Sequence, residues 1–484
     1  MNGSLVSSGS SVLLLSLYWA ASMAIVRLLP RPDSKEQFLV AGRALGVWES
    51  AFSIAATWIW APALFLAAQK AYTQGLAGVF WFTVPNVACL ILFAPFARKI
   101  REMVPEGYTL SAYMGHRFSR RVQGLYLVEM AGLAACSFAV QLLAGGKVLS
   151  HLTGLNFFWL TVVLAAIALS YSLLGGLKSS VVTDYLQMVI ILIVGGVSLV
   201  WVLLKSGGME TVMAGLGGAS GRYGSLFSGD GLSVAYGFGI AVTVGLLAGP
   251  FGDQSFWQRA FATRRERVAG AFVRGAFIFG IVPVMMAVLG FVAAGRGWPV
   301  QDPALVNVEV IARLLPEWMM IPFVLMLLSG LISTLDSNLC AISSIMGHDP
   351  FAGRPAEAAS PRSTLRAARG GMLLLAAAGV LVANIPGMKI LYLFLFYGTL
   401  RASTLLPTVI ALLKQRISEP GLFWGISASI AMGLPIFAYG NFTGRTGWAV
   451  AGSLFTVLTS GAIALVASGR GRAGRSEARP GLDG

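Results

Sequence analysis

Ser53-Ile-Ala-Ala-Thr-Trp-Ile-Trp-Ala-Pro62 places a proline in the middle of a long apolar run, 47–71. Proline has no amide proton and its ring crowds the preceding turn. The carbonyl of Trp58 therefore loses its helical partner, and carbonyls around Ala56 to Ile59 become available to a cation. A second run, 235–256, is interrupted in the same way: Gly245, Gly249, Pro250 and Gly252 lie just before Asp253 and Gln254. There Pro250 releases the carbonyl of Leu246. Taken alone, either proline is explained by an ordinary kink. Irregular backbone at membrane depth, however, survives only where protein or a watery cavity surrounds it, so the position of the two breaks in the chain decides their meaning.

That the chain spans a membrane follows from its composition. Of 484 residues, 56% are hydrophobic and only 11% charged, far from the balance of a soluble domain. Runs long enough to cross a bilayer fall at 11–29, 47–71, 78–97, 124–149, 156–174, 181–204, 235–256, 272–294, 318–346, 371–387, 389–413, 420–439 and 447–468, thirteen in all. The first lacks a basic segment before Val12 and is followed by Arg31, so it reads as a retained helix rather than a cleaved leader. The net charge of +15 does not indicate nucleic acid, because the basic residues gather in short loops on alternate sides. One side holds Arg31 to Arg43, Arg98 to Arg121, Lys178, Arg259 to Arg274, Arg354 to Arg369, Lys414, Arg416 and the tail arginines. By the positive-inside rule this predicts the N-terminus outside and the C-terminus in the cytoplasm of a cell whose inner membrane holds the protein. Cys89, Cys136 and Cys340 lie unpaired within apolar runs and imply neither disulfides nor a metal cluster.

The spans group into a first helix with its linker (1–45), five spans (46–204), an outer loop (205–234) and five more spans (235–413). Two further spans (414–468) and a disordered cytoplasmic tail (469–484) follow. Each set of five has an odd number of crossings, so the sets run in opposite directions. Both breaks fall in the first helix of a set. Interrupted helices at matching places in inverted repeats point to a transporter's binding site.

Gly42-Arg-Ala-Leu-Gly46, the Ser53 to Thr57 stretch and Ala71-Tyr-Thr-Gln-Gly75 resemble the sodium:solute symporter family. So do Gly175-Gly-Leu-Lys through Asp184 to Gln187, Trp257-Gln-Arg259 and Ser333-Thr-Leu-Asp-Ser337, in the family's order and spacing. The resemblance implies an all-α integral membrane protein of about thirteen transmembrane helices around a leucine-transporter-like core of inverted five-helix repeats. It implies Na+ as coupling ion, held by backbone carbonyls at Ala56, Ile59 and Gly330 and by the hydroxyls of Ser333 and Thr334. Neutral oxygens suit a hard cation that must also be released. Asp184 matches the family aspartate that assists sodium release toward the inside; a carboxylate at a helix start, stabilised by the helix dipole, is the competing reading.

The solute pocket is placed between the two breaks, lined by Trp58, Trp60, Asp253 and Gln254 and reached by Arg401. The tryptophans, with Gly78-Val-Phe-Trp81 and Asp253 to Arg259, resemble urea-carrying members; the Ser333 to Ser337 run resembles amino-acid carriers. Arg401 falls in the middle of the eleventh span, where a charge is costly. It either pairs with Asp253 or Asp336 or receives a substrate carboxylate. The resulting expectation is a sodium-coupled symporter importing a small polar solute such as proline, urea or a monocarboxylate, with membrane lipid as its surroundings and no nucleic-acid partner. A transporter-like sensor without transport is the alternative. An intramembrane enzyme is disfavoured, because no paired Asp, His/Glu or Ser/His groups stand at helical spacing.

Overall fold

The computed structural model describes residues 7–351, 360–388, 390–413 and 417–470. Among these, ten helices are long and apolar enough to cross a membrane, and a shorter apolar helix covers Tyr397–Leu413. Two of the ten are too long for one crossing: Ala61–Met103 has 43 residues and Phe157–Ser206 has 50. Straight, the latter would extend about 75 Å against a hydrocarbon core of about 30 Å.

Both turn back on themselves. On the outward path Ala51 faces Gly275 and Ala68 faces Gly290; on the return Val87 faces Gly280 and Phe93 packs on Phe272 at 5.1 Å. The reversal is at Gln74 and Gly75, where Gly75 takes φ +53°. In the longer helix the reversal is at Gly176, φ +58°. Tyr171 and Ser180, on either side of it, both donate to Asp336, and Ser170 and Gln187 meet Trp19 and Tyr18 of the first helix. A side chain at Gly75 would collide with the carbonyl of Leu216, and one at Gly176 with that of Phe38. Glycine is thus required at both turns for conformation and for space. With the hairpins resolved, the thirteen expected spans are all present among the described residues, and the chain is all-α.

The expected breaks shift by a few residues. In span 2 the helix Val47–Trp58 ends and Ala61–Met103 begins, so the interruption is at Ile59 and Trp60. Pro62 sits in the first turn of the second piece, where its missing amide costs nothing. In span 7, Pro250 is accommodated inside Ile240–Gly252, and the chain leaves helical geometry at Asp253 (φ −98°, ψ 115°) before Gln254–Ala262. The freed carbonyl expected at Leu246 is not where this helix opens. Span 10 starts earlier than expected, at Pro361–Ala383.

The connecting segments are more structured than their Gly, Ala and Ser content suggests. Short helices Lys35–Val40, Leu110–Arg117, Gly208–Ala214 and Val306–Leu314 lie between spans, and span 7 begins at Gly229, inside the expected loop. The outer loop clamps the first hairpin: Leu76 N–H donates to the Leu216 carbonyl at 2.8 Å and Ala219 N–H to that of Tyr72 at 2.7 Å. The tail expected to be disordered lies, from residue 471 onward, outside the described residues.

Candidate functional site

The two breaks meet in the middle of the protein. Trp58, the last residue of its half-helix, packs edge-on against Phe256 of the other at 5.1 Å and lies against Gly249. At each break one half-helix ends and another begins, so free carbonyls and free amides face one another. One of those amides is capped from outside: Ala61 N–H donates to Gln141 Oε1 at 2.8 Å. Asp253 caps the other half-helix by accepting from Ser255 N–H at 2.8 Å.

The five oxygen positions singled out for sodium converge at the first break. Ser333 Oγ lies 2.8 Å from the carbonyl oxygen of Ala56, and Thr334 Oγ1 lies 3.0 Å from that of Ile59. Both hydroxyls are 3.4 Å from the Gly330 carbonyl oxygen. Gly330 carries no side chain where one would press on Leu64 and Ile59, which lets span 9 approach the break. The set is neutral, all oxygen and buried. Neutral oxygens of this kind are the donors that a hard cation takes.

A small cavity of about 10 Å³ adjoins these oxygens, lined by Trp58, Trp60, Asp253 and Arg401 together with Ser137, Asn338 and Tyr397. Its volume is that of roughly one water, so no organic solute fits there in this conformation. Arg401 Nη2 stands 3.7 Å from Asp253 Oδ2, contacts the Tyr397 hydroxyl, and its guanidinium lies over the rings of Tyr397 at 3.6 Å and Trp58 at 5.5 Å. Of the two partners weighed for Arg401, Asp253 is the one it meets. The separation is looser than the 2.7–2.9 Å of a direct charge-assisted hydrogen bond.

Three expectations need correcting. Gln254 does not line the cavity: it accepts from Leu110 N–H and donates to the Tyr108 carbonyl and to Ser344, tying the half-helix to the start of the helix Leu110–Arg117. The residue after a cap turns away from the cap's own side chain, which is why the two neighbours part. Asp184 is not a headgroup-level carboxylate, because both it and Arg259 are fully buried and pair at 2.9 Å. Arg259 is therefore no loop cation; it belongs to the inner half-helix Gln254–Ala262. From there it also donates to Ser53 at 2.8 Å and Ser337 at 2.7 Å, and Ser337 meets Thr57 at 2.9 Å. Asp336 beside them accepts from Tyr171 and Ser180. This polar layer adjoins the converging oxygens, joined to them through Thr57 and Ser337.

Gln141, Asn338 and Tyr397 had gone unnoticed in the sequence. The usable signal was an amide or hydroxyl inside an otherwise apolar span.

An all-helical chain whose spans 2 and 7 break face to face around a small polar cavity is a multi-pass membrane protein. The sodium:solute symporter family model matches residues 38–428. The chain belongs to the sodium:solute symporter family.

Relatives include a urea–proton symporter of rice (Oryza sativa subsp. japonica), 24% identical over 90% of this chain and 66% of that protein. A probable urea active transporter of Schizosaccharomyces pombe is 23% identical over 80% of this chain and 62% of the relative. A sodium/proline symporter of Staphylococcus saprophyticus is 24% identical over 74% and 71%. The chain thus spans a little under two thirds of the length of the urea-type relatives. Among solved structures, a Na+-coupled sialic acid symporter superposes with TM-score 0.75 at 16% identity, over 94% of this chain and 97% of that one. MHP1, a nucleobase-cation-symport-1 family transporter, gives 0.59 at 16% identity over 91% and 96%. At these identities the likeness is one of fold.

Proposed function

We propose that the protein is a sodium-coupled symporter that carries a small neutral amide such as urea across the cytoplasmic membrane. The observation that carries this reading is the convergence of five neutral oxygens, from Ala56, Ile59, Gly330, Ser333 and Thr334, against the wall of a small polar cavity. A cation there fixes the broken end of span 2, and that same break positions Trp58 and Trp60 in the cavity. Ion and solute then stabilise one arrangement of the same helices, and this shared arrangement is what coupling requires.

The cavity's charge favours a neutral guest. Asp253 and Arg401 cancel, and at 3.7 Å they are not locked in a direct hydrogen bond; as they part, a planar solute can enter, its N–H groups donating to the carboxylate and its carbonyl accepting from the guanidinium. A solute with net charge would leave one member of the pair opposed. The names of the urea-type relatives agree with this choice, while the neighbouring hydroxyl run is shared with amino-acid carriers.

For Arg401→Gln we expect poor expression, because Asp253 is left buried without its cation; Asp253→Asn with Arg401→Gln should restore the folded protein but not urea uptake. Asparagine retains the cap on Ser255, so the double variant separates folding from recognition. Binding of a monocarboxylate in preference to urea by the wild type would overturn the neutral-solute assignment.

The basic loops support an N-terminus outside and a C-terminus inside. Reporters fused after Arg121 and after Arg267 should both read cytoplasmic, and an external signal at either would reverse the topology.

A further inference from the structure

Glu129 is the one carboxylate of span 4 (Arg120–Thr153), and it has no part in the site described above. It is 2% exposed, and no cation lies within ion-pair distance among the described residues. Among the described residues its Oε2 has no hydrogen-bond partner, and its Oε1 meets only Ser403 Oγ of span 11, at 2.8 Å. That serine hydroxyl is also 2.8 Å from the carbonyl oxygen of Leu400. A hydroxyl has one hydrogen. If Ser403 gives it to Leu400, the hydrogen between Ser403 and Glu129 must come from the carboxyl, which is then the neutral acid. An ionised Glu129 would be a full charge at membrane depth held by a single shared donor, a costly state.

The location gives that proton a path. Leu133, one turn further along span 4, packs against Gly252 and lies beside Arg401, and Ser137, one turn beyond, lines the solute cavity. Glu129, Leu133 and Ser137 share one helix face at i, i+4, i+8 spacing. In the other direction span 4 begins at Arg120, nine residues and about 14 Å away on the basic side. Spans 4 and 11 run antiparallel through Tyr126 with Thr408, at 2.9 Å, and Glu129 with Ser403.

The surrounding ionisable groups are committed elsewhere. Tyr126 bonds Thr408, and Arg401 turns to Asp253 and Tyr397. From span 9, Asp336 is held by Tyr171 and Ser180; from span 10, Arg369 reaches the Leu173 carbonyl. On the helix Leu110–Arg117, Arg117 bonds Tyr113 and His116 is exposed; at the start of span 12, Glu419 accepts from Ser119.

We propose that Glu129 is a proton-binding site, loaded in this conformation and emptied when spans 4 and 11 part, so that a proton gradient contributes to transport alongside sodium. No covalent step is involved: one proton joins the carboxylate on loading and leaves to water on release.

Infrared difference spectra of wild type against Glu129→Gln, at neutral pH in sodium-loaded proteoliposomes, should show a protonated-carboxyl C=O band that the variant lacks. Its absence would overturn the proposal whatever the protein transports. Ser403→Ala keeps the acid but removes the acceptor of its O–H, so the same band should move to the position of a carboxyl with a free hydroxyl; an unmoved band would contradict the pairing. In urea uptake at fixed sodium, an inward pH gradient should accelerate the wild type and have no effect on Glu129→Gln. Equal acceleration in both would also overturn it.

Discussion

Arg259→Gln is expected to remove most folded protein from the membrane, with a loss on the order of 3–5 kcal/mol, the usual consequence of stripping one partner from a buried ion pair. Asp184 has no exposure and depends on Arg259 at 2.9 Å and on Ser53 at 2.6 Å. Without the guanidinium it is an uncompensated charge in the protein interior, and Ser337 loses its donor at 2.7 Å as well. Against a total stability of about 5–15 kcal/mol, such a loss is decisive. Asp184→Asn combined with Arg259→Gln should recover much of the yield, because the charge and its partner leave together. Monodispersity and thermal melting in detergent measure both; a single variant as stable as wild type would mean that the pair is not formed in the folded protein.

Ser333→Ala and Thr334→Ala should each raise the sodium concentration needed for half-maximal solute uptake by about 5- to 150-fold. Each removes one of five oxygens, and an unmet ligand costs roughly 1–3 kcal/mol. The two hydroxyls now rest on the carbonyls of Ala56 and Ile59, so their loss leaves packing largely intact and the effect should appear in sodium dependence before it appears in yield. Trp58 and Trp60 flank the same break, which makes intrinsic fluorescence a second readout of sodium binding. Wild-type sodium dependence in both variants would place the ion elsewhere.

The architecture was legible because hydropathy and charge act at the scale of whole spans. A bilayer admits few solutions for apolar runs of that length, and basic loops alternate with them regardless of local detail. The two hairpins that give 43- and 50-residue helices show the complementary point: hydropathy counted the crossings correctly where continuous helical geometry alone would have missed two.

The sodium positions were read from a resemblance, and the structure brings their oxygens together. What the sequence concealed was pairing. Arg259 looked like one more basic loop residue because the loop count cannot tell a cation facing water from one turned inward by a half-helix. Asp253 and Gln254 looked equivalent, yet adjacent residues at a helix start face different ways, and only one reaches Arg401. Glu129 sat in a long apolar run as an isolated acid, and its partner Ser403 is 274 residues away, a contact that only the antiparallel packing of spans 4 and 11 creates.

The central claim is that sodium binding at the break of span 2 drives solute accumulation. Its most direct test is uptake of radiolabelled urea into proteoliposomes at equal internal and external pH, with an inward sodium gradient as the only driving force. Urea should accumulate above its external concentration and collapse to equilibrium when a sodium ionophore dissipates the gradient. Uptake that stops at equilibrium, or that is the same when choline replaces sodium, would contradict it.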